Sequence, residues 1–220
     1  MTTLALLSGG LDSSTALVAT AATEAVFVNY GQRHIRERRS AEAVAAHYDV
    51  PLSVLDLRAF GASVRSALTS DIEVPHGHYT AENMAVTVVP NRNAVMLSAA
   101  AGIAASRGHS HVATAVHAGD HAVYADCRPD FIEALSVATN LACGVRVVAP
   151  FVNQTKTDIT RLAHQLAVPI ELTWSCYEGG ERHCGRCGTC VERAEAIAEA
   201  GIADPTEYID PDFWRTTCSA

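Results

Sequence analysis

Long apolar runs are missing from this 220-residue chain; none approaches the ~20 residues that a membrane-spanning helix needs. The first residues carry neither a basic stretch nor a cleavage site and lead straight into an apolar run. No secretory signal is therefore expected, and a cytoplasmic location is. Basic residues are scarce: 16 Lys and Arg against 24 Asp and Glu leave a formal net charge of −8. With no long Lys/Arg run, the chain lacks the basic face that gripping many phosphates requires. That argues for a small-molecule substrate and against a nucleic acid. Internal repeats and low-complexity tracts are also absent. At 49% hydrophobic residues the chain can still bury a full core, as one domain with an appendage. Its seven cysteines, in a chain expected inside the cell, read as metal ligands or thiols before disulfides.

The first motif is Ser8-Gly9-Gly10-Leu11-Asp12-Ser13-Ser14. An apolar run over 3–7 precedes it and a helix-like segment over 15–22 follows. Strand, glycine turn and helix build an anion site, because paired glycines turn the backbone and expose its N–H groups. The helix start then adds unpaired N–H groups and a positive dipole end. Ser8, Ser13 and Ser14 contribute hydroxyls; Asp12 contributes a carboxylate for a metal or a helix cap. The plain alternative is a capped helix start after a turn. The spacing matches neither the Walker A pattern nor the Rossmann G-x-G-x-x-G.

Further strands are expected at 25–30, 51–57, 111–116 and 145–149, and further helices at 35–47, 94–107, 129–141, 155–166 and 191–200. This alternation predicts an α/β fold with a doubly wound, parallel five-stranded sheet. Ligands of such sheets sit outside the C-terminal strand ends, where Ser8–Ser14 and Tyr30-Gly31-Gln32-Arg33-His34 both fall. The polar stretch 71–80 reads as a long loop of the kind that covers a site. Its His76 and His78 are either metal ligands or solvated. Domain boundaries are expected at 1–170 for the α/β unit and 171–220 for a small helical segment.

Cys176, Cys184, Cys187 and Cys190 form C-x7-C-x2-C-x2-C in that segment. Four thiolates with no open position describe a structural zinc site that stabilises a core-poor stretch. An iron–sulfur cluster is the competitor, but Val191-Glu192-Arg193 follows without the downstream cysteine of a ferredoxin run. His183 is an alternative ligand. Cys127, Cys143 and Cys218 read as ordinary thiols.

Ser8–Ser13 resembles the SGGxDS motif of the PP-loop ATP pyrophosphatases. Together with Tyr30–His34, Pro90-Asn91-Arg92-Asn93, Asp126-Cys127-Arg128-Pro129 and Thr173-Trp174-Ser175-Cys176-Tyr177, the chain resembles the 7-cyano-7-deazaguanine synthase (QueC) family over its whole length. The resemblance implies a PP-loop (HUP-like) domain, ATP with Mg²⁺ as co-substrate, one structural Zn²⁺ and a homodimer. It implies conversion of 7-carboxy-7-deazaguanine to the nitrile with free ammonia, AMP and pyrophosphate. ATP then lies against Leu7, Ser8, Gly9, Gly10, Leu11, Asp12, Ser13, Ser14, Thr15, Ala16 and Leu17. Asp12, Arg33, Arg92 and Lys156 are the expected catalytic charges. Asp126 is the first choice to read the base and Asp120 the second, with Tyr124 stacking on the ring and Arg128 nearby. Cys127 is not needed as a nucleophile, since ATP activates the carboxylate. The family usually has Ser-Gly-Tyr-Pro where this chain has Ala122-Val123-Tyr124-Ala125, a departure in the expected base pocket. A PP-loop enzyme acting on a related deazapurine or on tRNA, and an inactive nucleotide- and zinc-binding module, are the competing readings.

Overall fold

In the computed structural model, which describes residues 2–217, the first strand is β1 (Thr3–Leu6), buried on both faces as an interior parallel strand must be. Helix α1 (Leu11–Ala19), β2 (Glu24–Asn29), α2 (Glu37–His47) and β3 (Leu52–Asp56) follow in right succession as two βα crossovers. Short helices α3 (Arg58–Ala62) and α4 (Ala81–Met84) precede the long α5 (Arg92–Ser106). The chain continues through β4 (His111–Ala113), α6 (Pro129–Cys143), β5 (Arg146–Val148), α7 (Lys156–Gln165), α8 (Gly188–Ala200) and α9 (Phe213–Thr217). The five strands pair in the order β3-β2-β1-β4-β5, all parallel. The sheet grows outward through β2 and β3, then returns to β4 on the other side of β1. That reversal opens a crevice beyond the C-terminal ends of β1 and β4.

Alternate residues of the central strands feed the two faces. Leu4, Leu6, Val26, Val28 and Val112 pack under α5 and α6, where Ala100, Ala101 and Ala104 let α5 approach closely. Ala5, Leu7, Ala25, Phe27 and Ala113 pack under α1 and α2 against Leu17, Ala41 and Val44. The C-terminal stretch is tied to the sheet side: Ile197 of α8 shares a cluster with Leu11, Ala163 and Ile170. Arg193 is fully buried and donates to Thr206 Oγ1, Thr173 Oγ1, Ser175 Oγ and the Ile170 carbonyl.

Most boundaries fall within two residues of the sequence expectation; the larger differences described next lie at the crevice. Helix α1 starts at Leu11 and not at 15, because extended Gly10 serves as its cap and accepts from the Ser14 N–H. Strand β4 ends at Ala113: the Thr114 N–H makes a last bond to the Val148 carbonyl, and Thr114, Ala115 and Val116 run on to line the crevice. Helix α8 starts at Gly188 and takes Cys190 into its first turn, with Cys187 as cap. The 71–80 loop is ordered: His76 bridges to Cys187 and the Gly77 N–H donates to the Arg186 carbonyl. Among the described residues no helix is long and apolar enough to cross a membrane. Cys218 lies outside the described residues.

Candidate active site

The turn after β1 is built to expose backbone donors. Gly9 has φ +86°, and a Cβ there would stand 2.4 Å from Ala41 N and 2.6 Å from the Glu37 carbonyl oxygen. Only glycine fits, on both counts. Ser13 Oγ accepts the Ser8 N–H (3.2 Å), and the Gly10 N–H donates to Ser8 Oγ (3.2 Å). Ser13 and Ser14 hydroxyls both donate to the Gly10 carbonyl (3.1 and 2.8 Å). No side chain caps α1, so the dipole end and first N–H groups of that helix face the crevice.

Lys156, the only lysine in the sequence, stands at the start of α7 and ion-pairs with Asp12 on α1. Its Nζ is also 3.9 Å from Glu192 Oε2 of α8. His117 Nε2 lies 3.9 Å from Asp12 Oδ2 and 3.8 Å from Asp120 Oδ2. Burial raises the Asp12 pKa, but Lys156, His117 and Arg193 together outweigh it and hold the carboxyl below its ordinary range. Burial raises the Glu192 carboxyl. Asp12 Oδ1 is shielded from solvent and, among the described residues, has no hydrogen-bond partner. A carboxylate oxygen left bare beside an anion-binding turn fits a hard cation such as Mg²⁺.

The crevice, about 240 Å³, runs from this charged end to an apolar slot lined by Val26, Val28, Met96 and Val116. Arg92 guards the slot between two rings, 5.7 Å from the Tyr30 centroid and 5.9 Å from that of Tyr124, and donates to Tyr30 Oη (3.3 Å). Among the described residues it has no carboxylate partner within salt-bridge reach. Glu37 lines the same wall and accepts from Gln32 Nε2 (3.0 Å); burial pushes its carboxyl up to about 7, against Gln32 and Arg92. Burial, with Arg92 and Arg33, pushes neighbouring His34 down to about 3, so its imidazole is neutral.

The remaining sequence-derived candidates part ways. Asp120 lines the crevice, accepting from the His117 N–H (3.2 Å) and Tyr79 Oη (3.3 Å). Asp126 is not in the lining. Its Oδ2 accepts the Asn93 N–H (2.8 Å) and so caps α5, not the α6 start that follows it. Tyr124 lines the slot with its hydroxyl bonded to Thr87 Oγ1 (2.7 Å), whereas Ala122, Val123 and Ala125 do not. Arg33 donates to the Ile72 carbonyl (3.0 Å) and Arg128 to that of His121 (3.0 Å), both outside the lining. Cys127 is in the lining, takes Asn93 Nδ2 at 3.1 Å, and burial drives its thiol pKa up, so it stays a thiol. Sequence reasoning missed Glu37, His117 and Glu192. Glu37 stands just beyond the Tyr30–His34 motif; Glu192 has no local signal, since Lys156 lies far away in the chain, and His117, though near Asp120 in sequence, meets Asp12 only through the fold.

The four thiols of Cys176, Cys184, Cys187 and Cys190 lie within 4.8 Å of one another. Cys184 Sγ and Cys190 Sγ are 3.9 Å apart, close to the ~3.8 Å edge of a tetrahedron with 2.3 Å metal–sulfur bonds. Backbone N–H groups of Arg186 and Cys187 donate to Cys184 Sγ, and that of Cys184 to Cys176 Sγ. The donor set could hold one soft or borderline metal ion. His183 is not part of it: its Nε2 accepts the Ser175 N–H and its ring packs 4.2 Å from Trp174. His76 and His78 pair with Glu178 (3.3 Å) and Glu195 (3.1 Å).

The family model "Queuosine biosynthesis protein QueC" matches residues 2–201. A 7-cyano-7-deazaguanine synthase of Brucella ovis is 51% identical over 226 residues, covering 99% of this chain and 97% of the relative. One of Brucella canis matches with the same identity and coverage. Among solved structures, a predicted subunit of tRNA methyltransferase from Methanocaldococcus jannaschii aligns at TM-score 0.49 and 17% identity over 96% of this chain and 92% of its own. An NMN synthetase from Francisella tularensis aligns at TM-score 0.49 and 14% identity, over 99% and 85%. Neither structural likeness carries weight at that score. The family match over residues 2–201 and the 51% identity over 99% of the chain place it in the QueC family of queuosine biosynthesis proteins.

Proposed function

We propose that this chain is an ATP-dependent ligase that converts 7-carboxy-7-deazaguanine and ammonia to 7-cyano-7-deazaguanine, with AMP and pyrophosphate as by-products. The observation that carries this is a single crevice with a helix start free of any side-chain cap and the Lys156–Asp12 pair at one end and an Arg92-guarded apolar slot at the other. Ser8, Gly9, Gly10, Ser13 and Ser14 hold the pyrophosphate part of ATP, leaving the α-phosphate open. A substrate carboxylate oxygen attacks that phosphorus and expels pyrophosphate; ammonia then displaces AMP to give the amide. The amide oxygen attacks the α-phosphorus of a second ATP and expels a second pyrophosphate; loss of AMP and of both protons from nitrogen leaves the nitrile. Arg92 and Lys156 neutralise phosphate and carboxylate charge, and the enclosed site strengthens both. Asp12 Oδ1 would hold Mg²⁺, which when bound screens the charge of the phosphates.

Asp120, already in the lining, is the acceptor for the two donors on the N1/N2 edge of the base. Asp126 serves it indirectly by fixing the start of α5 that carries Arg92. The 1–170 unit holds ATP and base, and the 171–220 segment carries structural Zn²⁺ on its four cysteines. We further assign the protein to the cytoplasm, where its thiols stay reduced, as a homodimer. The test is phosphorus NMR of turnover with ATP, Mg²⁺, ammonia and 7-carboxy-7-deazaguanine. AMP and pyrophosphate are expected; ADP and orthophosphate as first products overturn the proposal.

A further inference from the structure

Glu192 reaches the charged end of the crevice from the far end of the chain. It sits in the first turns of α8, two residues after Cys190, and only 17% of its side chain is exposed. Among the described residues its one ion-pair partner is Lys156, 3.9 Å away. Lys156 is thus shared between two carboxylates on two different helices, Asp12 of α1 and Glu192 of α8. The two carboxylates differ in what else they face. Asp12 has its bare, solvent-shielded Oδ1 beside the anion turn, whereas Glu192 stands behind the lysine and outside the crevice lining.

That asymmetry assigns different jobs. We propose that Glu192 is a positioning residue: it retains Lys156 at the phosphate end when Asp12 turns to the Mg²⁺ that accompanies ATP. The proposal rests on the Mg²⁺ reading above. With Glu192 present, the ammonium keeps an anionic partner whichever way Asp12 is engaged. Without it, Lys156 falls back wholly on Asp12 and competes with the metal for that carboxylate. The cysteine cluster enters here too. Cys187 caps α8 and Cys190 lies in its first turn, so the geometry of the cluster sets where the Glu192 carboxylate stands.

The experiment is an Mg²⁺ titration of parent, Glu192→Gln and Glu192→Asp at fixed ATP, following AMP formation. Glu195→Gln is the control; it removes the same charge from the same helix, where Glu195 faces His78. A second readout is free of turnover. Because Lys156 is the only lysine, protein labelled with [ε-¹³C]lysine gives one side-chain signal, followed while Mg²⁺ and α,β-methylene-ATP are added. Glu192→Gln should need about tenfold more Mg²⁺ in both readouts, a size that a charge pair this close and shielded supports. Glu192→Asp, one methylene short, should fall between, and it decides the matter if the Gln variant does not fold. Glu195→Gln should behave as the parent. Half-saturating Mg²⁺ and a lysine signal unchanged in folded Glu192 variants overturn the proposal alone. A parent whose turnover and lysine signal ignore Mg²⁺ overturns the Mg²⁺ reading and this proposal with it.

Discussion

Replacing Lys156 by Met keeps the volume of the side chain and deletes its charge, so it isolates the electrostatics of the crevice. Lys156, Asp12 and Glu192 have side chains only 13%, 21% and 17% exposed. At an effective dielectric constant of ~20, opposite charges 3.9 Å apart, the Lys156–Glu192 separation, attract by about 4 kcal/mol before desolvation is counted. Removing one member of a buried pair costs about 3–5 kcal/mol, because the partner is stranded. Here residual exposure, and protonation of Glu192, whose carboxyl burial already raises, lower that to about 2–3 kcal/mol. For a chain of this size the melting temperature should fall by roughly 4–12 °C. Mg²⁺ should recover part of the loss by pairing with the stranded carboxylates, which a packing defect would not allow. Turnover should fall by about 10²–10³, as for loss of one preorganised charge contact. The assays are a thermal melt with and without Mg²⁺ and AMP release under saturating substrates. A Lys156→Met protein that melts within about 1 °C of the parent and turns over normally would refute the reasoning.

Gly9→Ala should drive α2 from the turn, since its Cβ would overlap Ala41 N and the Glu37 carbonyl at a left-handed φ. A loss of about 2–4 kcal/mol in stability, with weakened ATP binding, is expected by melting and calorimetry. Asp120→Ala should raise the KM for the deazaguanine substrate about 10- to 100-fold and spare that for ATP. Asp126→Ala should instead cost about 1 kcal/mol of stability as a lost α5 cap; the opposite pattern in steady-state kinetics would return base reading to Asp126. Cys187→Ser should lose metal by elemental analysis and melt early, because its thiol joins three others at the start of α8. Glu37 is a carboxyl raised from 4.5 to about 7, so the folded state holds its proton more tightly than the unfolded one. Its stabilising contribution is complete below pH ~4.5 and is lost as pH rises through 7. Glu37→Gln should therefore melt above the parent at pH 8 and alike at pH 4.5.

The sheet was legible because continuous apolar runs such as Ala25–Val28 belong to strands buried on both faces. The cysteine cluster was legible because its spacing is local. Helix α1 was expected too late, since Ser, Gly and Asp are poor helix formers in general but favoured in a first turn. The choice between Asp120 and Asp126 lay beyond local sequence. The N–H that occupies Asp126 comes from Asn93, on a helix laid down earlier in the chain. Arg33 likewise sits in a family motif, yet its guanidinium goes to the Ile72 carbonyl. Glu192 and His117 face Lys156 and Asp12 only because four separate segments converge at one strand edge.

The most direct measurement is the mass of the deazapurine after incubation with ATP, Mg²⁺, ¹⁵N-ammonia and 7-carboxy-7-deazaguanine. The account predicts a nitrile carrying one ¹⁵N, with two AMP and two pyrophosphate formed for each. An unchanged carboxylate, or a product that stops at the ¹⁵N-amide with one AMP, would contradict it.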